Sequence, residues 1–191
     1  MSIILASASP RRQELLTQVG CDFEVITSSV IEDNTQDLPP NELAVVQAKA
    51  KAADVAGKLN SGDIVIGADT IVVLDGQVFG KPADAYDACR MLSDLSGREH
   101  QVVTGVAIVE CGTGRSWTDF SVTTVHIAQL TKEEIERYVA TGEPMDKAGA
   151  YAIQGVGALF VERINGCYTN VVGLPLATLR NLLNMAGVYL L

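Results

Sequence analysis

The apolar segments of this chain change their spacing partway along, and that change narrows the folds open to it. Early on, short apolar runs that read as buried strands (Ile3-Ile4-Leu5-Ala6, Phe23-Glu24-Val25-Ile26 and Ile64-Val65-Ile66) alternate with stretches of helical periodicity. Later, two longer strand-like segments, about 101–109 and 117–127, are joined only by the turn-like Gly112-Thr113-Gly114. Alternation through helices favours parallel neighbours, whereas a short turn forces antiparallel ones. The combination predicts a mixed α/β (α+β) fold, with a mixed sheet flanked by helices.

Local punctuation supports this order. Ser9 before Pro10 is a helix start that closes at Gly20, with Leu15, Leu16 and Val19 on one side. Residues 41–58 carry Leu43, Val46, Ala50 and Ala53 at helical spacing. Asp75-Gly76 between apolar runs predicts a hairpin over 71–79, and residues 83–96 predict a helix with Ala88, Met91, Leu92 and Leu95 inward. Thr131 and Glu134 form a capping box, and Gly142 leads into a Gly-rich loop over 143–157. Residues 158–172, turning at Asn165-Gly166, predict a final hairpin before a helix near Pro175. There is no repeat, low-complexity tract or linker, so residues 1–191 are expected to form a single domain.

Charge limits the partners. The chain carries 23 acidic against 14 basic residues, a net charge of −9, which argues against polymeric nucleic acid and against a membrane surface. Six of the acids lie in residues 21–42, which hold no base. Cys21, Cys89, Cys111 and Cys167 are at least 22 residues apart, and His100 and His126 are 26 apart, so no zinc or dithiol spacing is present. Buried free thiols are the expectation, and Trp117 is expected in the core. No apolar run reaches the ~18 residues of a membrane span, and the apolar start precedes Arg11 and Arg12, the reverse of a secretory signal. A cytoplasmic location follows as an expectation.

Four segments could carry chemistry. In Ser7-Ala8-Ser9-Pro10-Arg11-Arg12, two arginines sit in the first helical turn, where cations are unfavourable unless an anion compensates them. Either a bound anion or the acidic loop of Glu32, Asp33 and Asp37 could do so. Gly67-Ala68-Asp69-Thr70 places an acid after an apolar run, as a cleft acid at the strand's end or as a turn cap. Gly80-Lys81-Pro82 presents an ammonium at a rigid hairpin exit, and Lys49 and Lys51 lie on the Ala-rich helix. In residues 146–155, small residues permit close approach to a ligand, and the Gln154 amide can both donate and accept. There is no Walker A loop, G-x-G-x-x-G fingerprint or G-x-S-x-G elbow.

Taken in order, SASPRR (7–12), GADT (67–70), GKP (80–82), LSGREH (95–100), TGEPMDKAGAYAIQG (141–155) and GALFVERINGCYTNVVGLPL (157–176) resemble the Maf family of nucleoside triphosphate pyrophosphatases. The resemblance covers essentially the whole chain. It implies two lobes around a cleft, similar to the inosine-triphosphate pyrophosphatase architecture. It implies hydrolysis of a nucleoside triphosphate to monophosphate and pyrophosphate with a divalent cation, Mg2+ or Mn2+. Members similar to this chain act on dTTP and UTP, and a sibling subgroup has an acid where Gln154 stands. The resemblance also brings a link to arrest of cell division, so a nucleotide-sensing regulator is the competing class.

On this reading Asp69 activates water, Lys51, Lys81 and Arg12 neutralise phosphates, and Glu32 and Asp69 hold the metal. Ser7, Ser9, Arg11, Thr70 and Gln154 contact substrate, with Arg11, Thr70 and Gln154 discriminating the base. Register alone leaves Lys49 and Lys51 as alternatives, with an A-x-x-K-A spacing favouring Lys51. A homodimer is one open outcome for the assembly.

Overall fold

Seven strands join in one mixed sheet in the computed structural model, which describes residues 1–59 and 62–190. The strands are β1 (Ile3–Leu5), β2 (Glu24–Val25), β3 (Ile64–Leu74), β4 (Gln77–Phe79), β5 (Glu99–Glu110), β6 (Ser116–Ile127) and β7 (Val161–Asn165). Their order is β2-β1-β3-β5-β6-β7, with β4 added to the far end of β3. The early strands β2, β1 and β3 are parallel, and the β3–β5, β5–β6 and β6–β7 pairs are antiparallel. The helices are α1 (Pro10–Gln18), α2 (Pro40–Ala56), α3 (Ala85–Leu95), α4 (Lys132–Ala140), α5 (Tyr168–Val172) and α6 (Leu176–Met185). No helix among the described residues is long and apolar enough to cross a membrane.

Local sequence explains most of these elements. Thr131 and Glu134 cap α4 reciprocally, and the Asp84 carboxylate accepts from the Asp87 N–H to start α3. Pro10 opens α1 as expected, though the Ser9 side chain makes no capping bond. Trp117 is only half-buried, with the Arg115 guanidinium 5.4 Å from its ring. Cys21 and Cys111 are buried, whereas Cys89 and Cys167 are partly exposed, and all are free thiols.

Two expectations are corrected. Residues 168–172 are helical, not the second arm of a hairpin. The free edge of β6 is already taken by β7, and Asn170 turns inward to donate to the Val102 carbonyl (3.0 Å) and to Thr123 Oγ1 (2.9 Å). Tertiary hydrogen bonds thus override the β-branched local pattern. The Gly-rich segment 143–157 is also more ordered than a plain loop, containing short 3-10 turns over Glu143–Asp146, Ala148–Ala150 and from Gly155.

The two faces of the sheet are covered unequally. One face of β3 and β5 packs chiefly on α2, with Leu38 and Val78 at its margin. The other carries two separate apolar groups. Ile64, Ile66, Val106 and Ile108 pack with α1 and α6, while Val72, Leu74 and Val102 pack with α3 and α4. Between these groups stand Thr70 on β3 and, opposite it, Thr104 on β5. The two lobes therefore meet along a polar seam.

On the α2 face, Gly67 and Gly105 let the helix approach closely. A Cβ at Gly67 would lie 2.2 Å from the Ala48 carbonyl oxygen, and one at Gly105 would lie 2.3 Å from the main chain of Ala44. Ala44, Ala48 and Ala52 are fully buried along this contact line. Gly105→Ala should therefore destabilise by about 2–3 kcal/mol through overpacking, lowering Tm by about 5–10 °C in thermal unfolding followed by circular dichroism. Gly57→Ala is the contrast: its Cβ meets only ordinary contacts at 3.5 Å, so its Tm should stay level or rise slightly.

Candidate active site

Asp69 lies inside β3, not beyond a strand end: it is the sixth residue of an eleven-residue strand and pairs with Gly105. A cleft reaches it because the edge of β3 is interrupted there. β1 pairs with β3 only as far as Ile66, and the pairing of β3 with β4 begins at Val72. Ile64 N–H and Ile66 C=O point to the β1 side, bonding Ser2 and Ala6. Strand alternation therefore turns the main-chain groups of Ala68 and Thr70 to the same edge, where the interruption lies. The resulting cleft encloses about 360 Å³ and is lined by Ser7, Arg12, Glu32, Asp69, Lys81 and Gln154, among others.

The close seat of α2 on Gly67 brings Lys51 to Asp69. Lys51 Nζ donates to Asp69 Oδ1 at 2.6 Å and to Glu32 Oε1 at 2.7 Å, and the Lys51 and Asp69 side chains are only 10% and 4% exposed. Lys81, half-exposed at the mouth, reaches both oxygens of Glu32 at 3.3 Å. Burial works to raise the Glu32 pKa, but the two ammonium groups outweigh it and hold the carboxyl below its ordinary range. Lys49 is exposed and does not line the cleft, so geometry separates the two lysines that spacing left as alternatives.

The loop bearing Glu32 is tied to α2 at two points. Gln47 accepts from the Asp33 N–H (3.2 Å) and donates to Asn34 Oδ1 (2.8 Å). Asp54 accepts from Ser28 Oγ (2.9 Å) and the Ser29 N–H (2.8 Å). Gln47, Lys51 and Asp54 thus share one face of α2 and set the acidic loop against it.

Arg12 is buried at the bottom of the N-terminal turn. Its Nε donates to the Gly173 carbonyl (2.8 Å), one terminal nitrogen to Ser7 Oγ (3.1 Å) and the other to Thr70 Oγ1 (3.1 Å). Burial pulls its pKa down while Asp69 and Glu32 push it back up; an arginine stays charged in either case. Thr70 continues to Thr104 (2.9 Å), and Thr104 donates to the Asn170 carbonyl (3.1 Å), so the seam is hydrogen-bonded from α1 to α5. Ser9 stands at the entrance and donates its N–H to Ser7 Oγ (3.2 Å).

Arg11 pairs with Asp146 at 3.6 Å, and Asp146 also accepts from Lys147. The acid paired with Arg11 is thus Asp146, while Glu32 pairs with lysines and neither Asp33 nor Asp37 forms an ion pair with Arg11 or Arg12 among the described residues. Gln154 lines the cleft half-buried, and its amide makes no hydrogen bond among the described residues. The ten residues given a substrate, catalytic or metal role in the sequence (Ser7, Ser9, Arg11, Arg12, Glu32, Lys51, Asp69, Thr70, Lys81 and Gln154) line this one cleft, whereas Asp33, Asp37 and Lys49 do not. Sequence reasoning missed Gln47, Asp54, Thr104 and Asn170, and placed Asp146 in a candidate segment without a role of its own. What they do depends on partners 13 to 135 residues away.

Glu32 and Asp69 supply hard oxygen donors at a common point, which suits Mg2+ or Mn2+ in kind. That point is also where the Lys51 ammonium lies. Among the described residues no three His, Cys, Asp or Glu side chains converge. A divalent ion here would complete its shell from phosphate and water, the usual arrangement for Mg2+ at a nucleotide.

Residues 2–186 match the family described as Maf-like protein. A Desulforamulus reducens protein named dTTP/UTP pyrophosphatase is 50% identical over 186 residues, covering 97% of each chain. One of the same name from Pelotomaculum thermopropionicum is 51% identical over 97% of this chain and 96% of its own. Among solved structures, the Staphylococcus aureus Ham1 protein has a TM-score of 0.45 and 16% identity, over 67% of this chain and 72% of that one. With the family matched from the second residue into the last helix and relatives sharing half its residues, the chain belongs to the Maf family.

Proposed function

We propose that the cleft hydrolyses dTTP and UTP to the monophosphate and pyrophosphate by attack of water at the α-phosphorus. The observation that carries this reading is the line of charge from Lys81 through Glu32 and Lys51 to Asp69, facing Arg12 across one cleft. The name shared by the relatives supports the choice of nucleotides. The unit that acts is the whole of residues 1–191, since its parts come from both ends of the chain. Four free cysteines and an acidic surface suit the cytoplasm, where thiols stay reduced.

Asp69 is the general base. One carboxylate oxygen is held by Lys51, while the other has no hydrogen-bond partner among the described residues and is free to take a proton from water. Lys51 holds the carboxylate in place through its short bond to Oδ1. Arg12 has spent three of its five N–H donors on the protein, and two remain for phosphate oxygens. Lys81 adds a mobile positive charge at the mouth, suited to the phosphates that leave. Glu32 and Asp69 would hold the Mg2+ or Mn2+, which supplies charge neutralisation on the phosphates when bound. Arg11, Thr70 and Gln154 select the base, and Ser7 and Ser9 complete the turn that meets the phosphates. A single amide fits either order of donor and acceptor on a pyrimidine edge, so Gln154 selects only if its orientation is fixed.

Incubation with each canonical triphosphate and Mg2+ or Mn2+ tests the reading. Monophosphate with pyrophosphate, fastest from dTTP and UTP, is the expected outcome. Diphosphate with orthophosphate, or a purine as best substrate, overturns it, and no turnover would favour a nucleotide sensor. Asp69→Asn should lower kcat by about 10²–10⁴-fold, the range of a lost general base, with the circular dichroism spectrum unchanged. Lys51→Ala should cost about 3 kcal/mol in stability by stranding a buried carboxylate and abolish turnover, whereas exposed Lys49→Ala should change neither in parallel assays.

A further inference from the structure

The segment from Lys147 to Gly155 must keep one shape for Gln154 to choose a base, yet its backbone is strained. Gly149 and Ala150 both have positive φ, 68° and 59°, and the second is a buried non-glycine residue. Such a conformation costs on the order of 1–2 kcal/mol and persists only where its surroundings impose it.

Three attachments impose it. The Gly149 N–H donates to the Gly80 carbonyl at 3.0 Å, packing Gly149 so closely on Val72 that a Cβ there would lie 2.9 Å away. Beyond the segment, Glu143 accepts from Tyr138 Oη (2.9 Å) and from the N–H groups of Val156 and Gly157 (3.0 Å each). In the middle, the Tyr151 hydroxyl and His100 Nε2 lie 2.7 Å apart, their rings edge-to-face at 5.3 Å. His100 sits on β5, 3% exposed, and does not line the cleft. Its Nδ1 has no partner among the described residues. Burial lowers its pKa to about 4, leaving it neutral near pH 7. An apolar pair of equal size would be comparably stable. What the hydrogen bond adds is a defined position for Tyr151, three residues before Gln154.

We propose that the buried His100–Tyr151 pair is a positioning device for base selection, holding residues 147–155, and with them the Gln154 amide, in a single orientation against the cleft. Base selection here rests on the reading of the cleft as a dTTP and UTP site; the holding of the segment does not.

Three variants test this: Tyr151→Phe, His100→Leu and the two combined. Amide hydrogen exchange of residues 147–155 is measured without nucleotide, alongside Tm and the kinetics with dTTP and dCTP. In both single variants exchange of this segment should rise, by about 3- to 10-fold, the scale of one hydrogen bond. KM for dTTP should rise by a similar factor, more than kcat falls, and the preference for dTTP over dCTP should shrink. The double variant should regain much of the lost Tm, because no polar atom is left unpaired, while the preference stays low. Tyr151→Phe removes only a hydroxyl and keeps the test readable if His100→Leu does not fold. Unchanged exchange, an intact base preference despite a loosened segment, or a preference regained in the double variant would each overturn the proposal. A wild-type protein inactive on triphosphates would remove the reading of the cleft instead, and exchange would still decide whether the pair holds the segment.

Discussion

Everything at the cleft depends on how near α2 comes to the sheet. Gly67 and Gly105 leave no side chains between the strands and the Ala44–Ala48–Ala52 line of the helix. With side chains at those two positions the helix would stand further off, and the Lys51 side chain would have to reach further to meet Asp69. At the observed approach it is fixed by short bonds to two carboxylates. The contact is one of shape, with charge added afterwards. The same face of α2 then anchors the acidic loop through Gln47 and Asp54, so one packing event sets Asp69, Lys51 and Glu32 together.

The polar seam solves a related difficulty. A guanidinium as deeply buried as that of Arg12 is costly unless its donors are met. Thr70, Ser7 and the Gly173 carbonyl meet them, and Thr104 and Asn170 hold Thr70 in turn. This network could not be laid through an apolar core without loss, and it runs where the two apolar groups part. The cleft and the division of the core are the same feature seen from outside and inside.

Much of this was readable in the sequence. Period and punctuation located α1, α2, α3, α4, the hairpin at Asp75-Gly76 and the long β5–β6 pair, because those elements are determined by nearby residues. The ordered motifs held most of the residues that line the cleft, since each is a dense local cluster of unusual types, whereas Glu32 and Lys51 lie outside them. Three things escaped. The Tyr168–Val172 helix has a strand-like sequence and is decided by Asn170 reaching β5 and β6. Asp69 reads as the end of a strand because Gly67 and Thr70 look like turn residues, whereas here the glycine makes room for a helix and the threonine receives Arg12. The supports of the site, from Gln47 to His100, bond across long stretches of chain and leave no trace in local order.

The interrupted edge of β3 has one further consequence. Since the gap between β1 and β4 exposes the sheet itself as the floor of the cleft, Asp69 stands on a strand held along its other edge by β5. Gln154, by contrast, is carried on a strained segment pinned at a few points. On the proposed reading, water activation and base selection would therefore be mounted on separate parts of the fold. A lineage could then retune which base is accepted by altering residues 147–155 and their pins, with the strand that carries Asp69 inherited intact.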